Sequence, residues 1–280
     1  MAEEASTRWE LLSAASGRSQ AWLRARDVRG EPQLRAVEGD GAGALYLRMW
    51  RAVSAGQPVA QVVGETSFFG RSFWVTPDVL IPRSDSECLI RQALAFLGDH
   101  PGSGVRPMRI LDLGTGSGCL AITLGLEARA RGWKVDVLGT DLSESALRVA
   151  RNNGCRHGLA LTWLRGDWLE ALPASMPAFD LIVSNPPYLS PADPHLLDRG
   201  LQCEPLLALV GQNQHPDGLS VYRHLAKGLP RWLEPTGALL VEHGWTQQPQ
   251  VCAILEASGF RVLTKVPDLA GRPRAVFAQL

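Results

Sequence analysis

From residue 108 onward, short apolar runs alternate with helical ones, and this rhythm constrains the fold more than any other feature of the chain. Residues 109–113, 135–140, 161–164, 179–184 and 238–242 read as strands. Residues 119–131, 144–156, 219–232 and 249–257 read as helices. Two further strands, 260–266 and 274–279, follow with no helix between them. Parallel strands need a crossover long enough to return to the same edge, and a helix supplies it. The pattern predicts an α/β fold: a doubly wound, mostly parallel, seven-stranded sheet whose last pair adds an antiparallel edge.

Ahead of that sheet the chain reads differently. The first 57 residues are rich in Ala, Leu and Arg, with breaks at Gly17, Gly30 and Gly39-Asp40-Gly41. Leu45, Met49 and Val53 recur at helical spacing until Gly56-Gln57-Pro58 stops the pattern. Two aromatic-rich runs flank Gly70 within residues 68–75 and predict a hairpin. Ser84, with Glu87 three residues on, predicts a capping box that opens a helix reaching about residue 97. Pro101-Gly102-Ser103-Gly104 is a natural boundary. The division is therefore 1–60, a small N-terminal helical domain; 61–104, a hairpin and linker helix; and 105–280, the sheet domain. Residues 185–216 form a long stretch without clear periodicity, and stretches of that length inside compact domains are usually functional or disordered.

Composition narrows the function. Lys+Arg and Asp+Glu are both 28, so the formal charge is zero, which argues against a protein living on a phosphate backbone. No run of 18 apolar residues predicts a membrane span. Glu3 and Glu4 without an apolar run predict no secretory signal. The five cysteines form no C-x-x-C pair and the six histidines no ligand spacing, so no disulfide framework and no metal site are expected. A reduced, cytoplasmic protein is the plain reading.

Two motifs carry chemistry. Asp112-Leu113-Gly114-Thr115-Gly116-Ser117-Gly118 follows a strand and opens a helix, where glycines let backbone approach a ligand closely. Cys119 stands where the dinucleotide fingerprint would place a glycine or alanine. The spacing thus leans from NAD toward another nucleoside cofactor, S-adenosyl-L-methionine first. Asp141 ends the next strand. It could accept from ribose hydroxyls or cap the following helix, with Ser143 a rival cap.

The second motif is Ser184-Asn185-Pro186-Pro187-Tyr188, where an apolar strand runs into a turn stiffened by two prolines. The side-chain oxygen of Asn185 and the backbone oxygen of Pro186 are suited to hold both hydrogens of a planar –NH2 group. Tyr188 offers a flat face for stacking. The turn suits an amide or an exocyclic amine.

With these motifs in order, the chain resembles the HemK/PrmC family of S-adenosylmethionine-dependent protein-glutamine N5-methyltransferases. The resemblance covers nearly the whole chain and is densest from about residue 56. It is carried by Gly56, Pro58, Gly64, Phe69-Gly70 and Phe73, by Leu80-Ile81-Pro82-Arg83 and Asp85-Ser86-Glu87, and by the two motifs above with Asp141 and Phe179-Asp180. Glu204-Pro205, Ala208-Leu209, Glu242-His243-Gly244, Asp268, Gly271 and Arg274 extend it. Two departures stand out: Ser84 replaces the family's usual proline, and residues 210–218 depart from a shorter glycine-rich stretch.

The resemblance implies a Rossmann-like methyltransferase sheet and a substrate-binding role for residues 1–60. It implies that Gly114, Thr115, Gly116, Ser117, Gly118, Asp141 and Asn185 bind S-adenosyl-L-methionine, and that Trp168 lies beside its adenine; taken alone, Trp168 reads as core packing. Asn185, Pro186, Pro187 and Tyr188 would bind the substrate glutamine, with Asn185, Pro186 and Tyr188 catalytic and no metal. The implied reaction methylates the glutamine of the Gly-Gly-Gln motif in class I peptide chain release factors. The expected enzyme is a monomer with no direct nucleic-acid or membrane partner. The rivals are glutamine methylation of a ribosomal protein, DNA adenine-N6 methylation, and a non-catalytic cofactor-binding adaptor.

Overall fold

A computed structural model describes residues 2–26, 41–100, 106–212 and 215–280. The expected breaks at Gly30 and at 39–40, and the boundary at 101–104, lie outside the described residues. Helices α1 (Ala2–Ser16), α2 (Gln20–Arg26) and α3 (Ala42–Ser54) open the chain, followed by the short α4 (Val59–Val63). Trp9, Leu11, Leu12, Leu23 and Tyr46 are buried together, with Val59, Val62 and Val63 packed against them. This cluster is separate from the sheet's own cores.

Strands β1 (Glu65–Phe68) and β2 (Arg71–Trp74) form the expected antiparallel hairpin. Its two loop residues both have positive φ, 50° at Phe69 and 72° at Gly70. That geometry matches the twist of a two-residue hairpin. The expected capping box does not form. Residues 84–86 make a single tight helical turn, and α5 (Glu87–Asp99) begins after it without a side-chain cap. The Glu87 carboxylate instead accepts from the Phe69 amide at 3.0 Å and pairs with Arg91. A tertiary partner has displaced the local one.

The sheet comprises β3 (Met108–Leu113), β4 (Val135–Asp141), β5 (Thr162–Arg165), β6 (Phe179–Ser184), β7 (Leu233–Glu242), β8 (Arg261–Pro267) and β9 (Pro273–Gln279). Their spatial order is β5-β4-β3-β6-β7-β9-β8. β9 runs antiparallel to both of its neighbours, and the remaining pairings are parallel. The doubly wound reading with an antiparallel edge is what the structure has. Alternate residues of the central strands feed opposite faces. Ile110, Leu181, Val183 and Leu240 pack under α5 and α6 (Cys119–Ala130). Leu111, Leu113, Ile182 and Val241 pack under α10 (Ser220–Gly228) and α11 (Gln248–Glu256). The connection from β4 to β5 is α7 (Glu144–Arg156).

Two boundaries differ from expectation. The helix expected over 219–232 is α10 followed by a tight turn at residues 229–232, because Pro230 has no amide to continue the ladder. β7 begins at Leu233 rather than 238; Pro235 and Gly237 obscure its first half in the sequence. The long stretch after β6 contains α8 (Arg199–Gln202) and α9 (Leu206–Val210) and is fastened down. Glu204 accepts from the Ile81 amide at 2.8 Å and pairs with Arg83, and Gln61 donates to the Cys203 carbonyl at 2.8 Å.

Candidate active site

The strand order reverses between β3 and β6. The chain winds outward through β4 and β5, then returns to the other side of β3. Loops leaving the two central strands diverge at such a point and leave a crevice beyond their carboxyl ends, where ligands bind in open α/β sheets. The glycine loop leaves β3 and the Asn-Pro-Pro-Tyr turn leaves β6. The topology thus brings the two sequence motifs face to face.

On the β3 side, Gly114 and Gly116 have φ of 73° and 55°, the left-handed region that favours glycine. Both line a cavity, with Thr115 and Ser117 beside them. A Cβ at Gly116 would meet nothing within 4 Å, so the loop presents open space there. The Thr115 hydroxyl donates to Asp112 at 2.6 Å, and its amide donates to the Thr140 carbonyl at 2.8 Å. Burial pushes the Asp112 carboxyl up to about 7, against the pull of Thr115 and the Ala121 amide. Gly118 lies outside the cavity lining. A Cβ there would come within 3.0–3.1 Å of Ile122, Ala150 and Trp163, so it serves the close entry of α6 into the sheet.

Asp141 lines the same cavity. Its carboxylate accepts from the amides of Gly116 and Ser143, each at 2.9 Å. Ser143 caps α7 by accepting from the Ala146 amide. The cap is therefore Ser143, and Asp141 fixes the glycine loop while keeping lone pairs toward the cavity. Burial raises its pKa, opposed by those amides. Trp168 lines the cavity with φ of 48°, an outlier for a bulky side chain. Its ring sits where a Cβ on Gly114 would come within 3.4 Å.

Across the crevice, Asn185 borders two cavities, that one and a second. Pro187 lines the first, while Pro186 and Tyr188 line the second. The Asn185 Nδ2 donates to the Ser86 hydroxyl at 3.1 Å, and its Oδ1 is buried with no partner. A buried acceptor left open at a cavity boundary is an invitation to a ligand donor, because an unmade buried hydrogen bond is costly. Tyr188 lies with its hydroxyl 3.4 Å from Glu242 Oε1, and burial raises its pKa. Its carbonyl accepts from Gln247 Nε2 at 3.0 Å, and Gln247 Oε1 accepts from the Gly244 amide.

Several of these residues carried no role in the sequence reading. Glu242 is fully buried, and burial lifts its carboxyl to about 7, with Ser86, Arg274 and Tyr188 pulling it down. Arg274 bridges Asp85 at 2.8 Å and Asp268 at 3.4 Å. An acidic residue closing the apolar run 238–242 was the available signal for Glu242; Gln247 gave none. Among the described residues, no group of three His, Cys, Asp or Glu side chains could hold a metal ion.

The glycine cradle, the buried acid at the end of the next strand and the open crevice fit a nucleoside-type cofactor. The lone amide oxygen opposite fits an –NH2 acceptor. Fold and site define a Rossmann-like methyltransferase, and a methyltransferase-domain family model matches residues 105–266. A solved 16S rRNA N2 G1207 methyltransferase from T. thermophilus, in complex with AdoMet and guanosine, shares the fold. Its TM-score is 0.50 at 22% identity, covering 77% of this chain and 49% of that one. The release factor glutamine methyltransferase of Bordetella pertussis is 41% identical over 94% of this chain and 90% of its own length. That of Burkholderia pseudomallei is 39% identical over 95% and 88%. The chain belongs to the release factor glutamine methyltransferase family.

Proposed function

We propose that this enzyme methylates the side-chain amide nitrogen (N5) of the glutamine in the Gly-Gly-Gln motif of class I peptide chain release factors, supporting translation termination. The cofactor is S-adenosyl-L-methionine. In this reading Gly114, Thr115, Gly116, Ser117, Asp141 and Trp168 hold it, with Gly118 shaping the loop from behind. When bound, it supplies a methyl group on a sulfonium, a strong electrophile.

The chain's own task is to make a poor nucleophile usable. An amide nitrogen has a delocalised lone pair and is not usefully deprotonated near neutral pH. The Asn185 Oδ1 and the Pro186 carbonyl hold the two amide hydrogens, favour positive charge building on nitrogen and set its direction. Positioning of this kind supplies up to about 7–11 kcal/mol. The prolines keep the turn rigid, so little reorganisation accompanies the reaction. Tyr188 walls the acceptor. The observation that carries this reading is the buried, unpartnered Asn185 Oδ1 between the two cavities.

Residues 1–60 serve as a substrate-binding domain, joined through 61–104 to the methyltransferase domain of 105–280. The enzyme acts as a cytoplasmic monomer, without a direct nucleic-acid or membrane partner. Zero formal charge supports the former, and no helix of the described residues is long and apolar enough to cross a membrane. The test is mass spectrometry of a class I release factor after incubation with enzyme and S-adenosyl-L-methionine. One added methyl on the Gly-Gly-Gln glutamine is expected. Methyl on a ribosomal-protein glutamine instead would overturn the substrate assignment.

A further inference from the structure

A primary amide has two ends of nearly equal shape and opposite hydrogen-bonding sense. Asn185 is useful to an –NH2 acceptor only with its oxygen forward; turned over, two donors would face each other. Something must choose the orientation. The Asn185 Nδ2 donates to Ser86 Oγ at 3.1 Å, and this is what leaves Oδ1 facing the cavities. Ser86 is 3% exposed and stands at the N-cap position of α5, yet its side chain makes no capping bond. A serine placed where capping is the ordinary use of its oxygen has that oxygen committed to Asn185 instead.

A hydroxyl can also donate, which would tolerate the wrong amide orientation. Glu242 addresses this. It is fully buried, with the Tyr188 hydroxyl 3.4 Å from its Oε1, its Oε2 open to a donor, and Ser86 close enough to lower its pKa. In its ionised form, favoured above about pH 7, the Glu242 carboxylate only accepts, so it takes a hydrogen bond from the Ser86 hydroxyl and leaves a serine lone pair for the Asn185 –NH2. Ser86 and Asn185 lie 99 residues apart in the chain.

We propose that Ser86 is a positioning residue whose hydroxyl, oriented by Glu242, holds the Asn185 amide with its oxygen toward the acceptor nitrogen. The inference rests on the role given to Asn185 above. Replacing Ser86 by Ala removes the partner that selects the amide orientation, and kcat is expected to fall about tenfold, the weight of one such hydrogen bond. Cofactor affinity, read by calorimetry, is expected to stay unchanged, and Ser86→Thr is expected to restore turnover.

A double-mutant cycle separates this role from a structural one. Introduced into Asn185→Ala, Ser86→Ala is expected to cause no further loss, because it acts only through the amide. A further tenfold loss there, or a Ser86→Ala protein that loses cofactor affinity as much as turnover, would overturn the proposal. A fully active Ser86→Ala enzyme beside a crippled Asn185→Ala enzyme overturns the role of Ser86 alone. A fully active Asn185→Ala enzyme overturns the reading of Asn185 and that of Ser86 with it.

Discussion

The two cavities, proposed to hold cofactor and acceptor, share Asn185 but are held together differently. The polar grip on the cofactor side is local: Thr115 bonds Asp112 three residues away, and Gly116 bonds Asp141 twenty-five residues away. The Asn185 side of the crevice is held across much longer stretches of chain. Ser86 meets Asn185 over 99 residues, Ile81 meets Glu204 over 123, and Asp85 meets Arg274 over 189. One side is a backbone cradle built from β3, its glycine loop, α6 and the end of β4. The other is a mosaic of side chains. A cradle of backbone amides and glycines suits a constant ligand, and a mosaic can be adjusted to a particular partner without disturbing the cofactor.

That contrast breaks if variants on one side affect both cavities alike. The largest effect is expected from Asn185→Ala, with turnover falling roughly 10²–10³-fold, the usual cost of removing one transition-state hydrogen-bonding group. Calorimetric cofactor affinity should change far less. Equal losses would mean that Asn185 holds cofactor and acceptor without distinction.

Glu242→Gln comes next and reads stability rather than rate. Burial lifts the Glu242 carboxyl from its ordinary value of 4.5 to about 7. A carboxyl raised on folding contributes stability that is fully present below its unfolded pKa and lost as pH rises through 7. Relative to Glu242→Gln, the unmodified protein should lose about 3 kcal/mol of unfolding free energy between pH 4 and pH 8. Urea titrations at the two pH values measure this, and parallel pH profiles would refute it.

The smallest effect falls on the cofactor side. Asp141→Ala should weaken cofactor binding about tenfold while turnover at saturating cofactor is largely kept, in line with a hydrogen bond to a charged group. Unchanged affinity would remove Asp141 from the cofactor site.

The same contrast explains what the sequence disclosed. The alternation from residue 108, the glycine loop, Asp141 and the Asn-Pro-Pro-Tyr turn are local patterns, and each occupies the expected position in the fold. The choice between Ser143 and Asp141 as cap needed coordinates, because both side chains are competent and only geometry separates them. The Ser84–Glu87 capping box was misleading because the Phe69 amide, eighteen residues away, takes the Glu87 oxygen. Ser86 bonds Asn185 over 99 residues and Gln247 bonds Tyr188 over 59, and no local spacing marks either tie. The resemblance to known relatives supplied Trp168, whose local sequence reads as ordinary core.

The position of Arg274 in β9 bears on the order of assembly. Contacts between residues close in the chain form with little loop-closure cost, whereas distant ones wait for the intervening chain. The cradle around Gly116 needs only β3, α6 and β4. The tie from Asp85 to Arg274 needs β9, which is threaded between β7 and β8. A chain emerging during synthesis thus has the elements of the proposed cofactor cradle in hand well before β9 can close the tie from Asp85 to Arg274 beside the proposed acceptor.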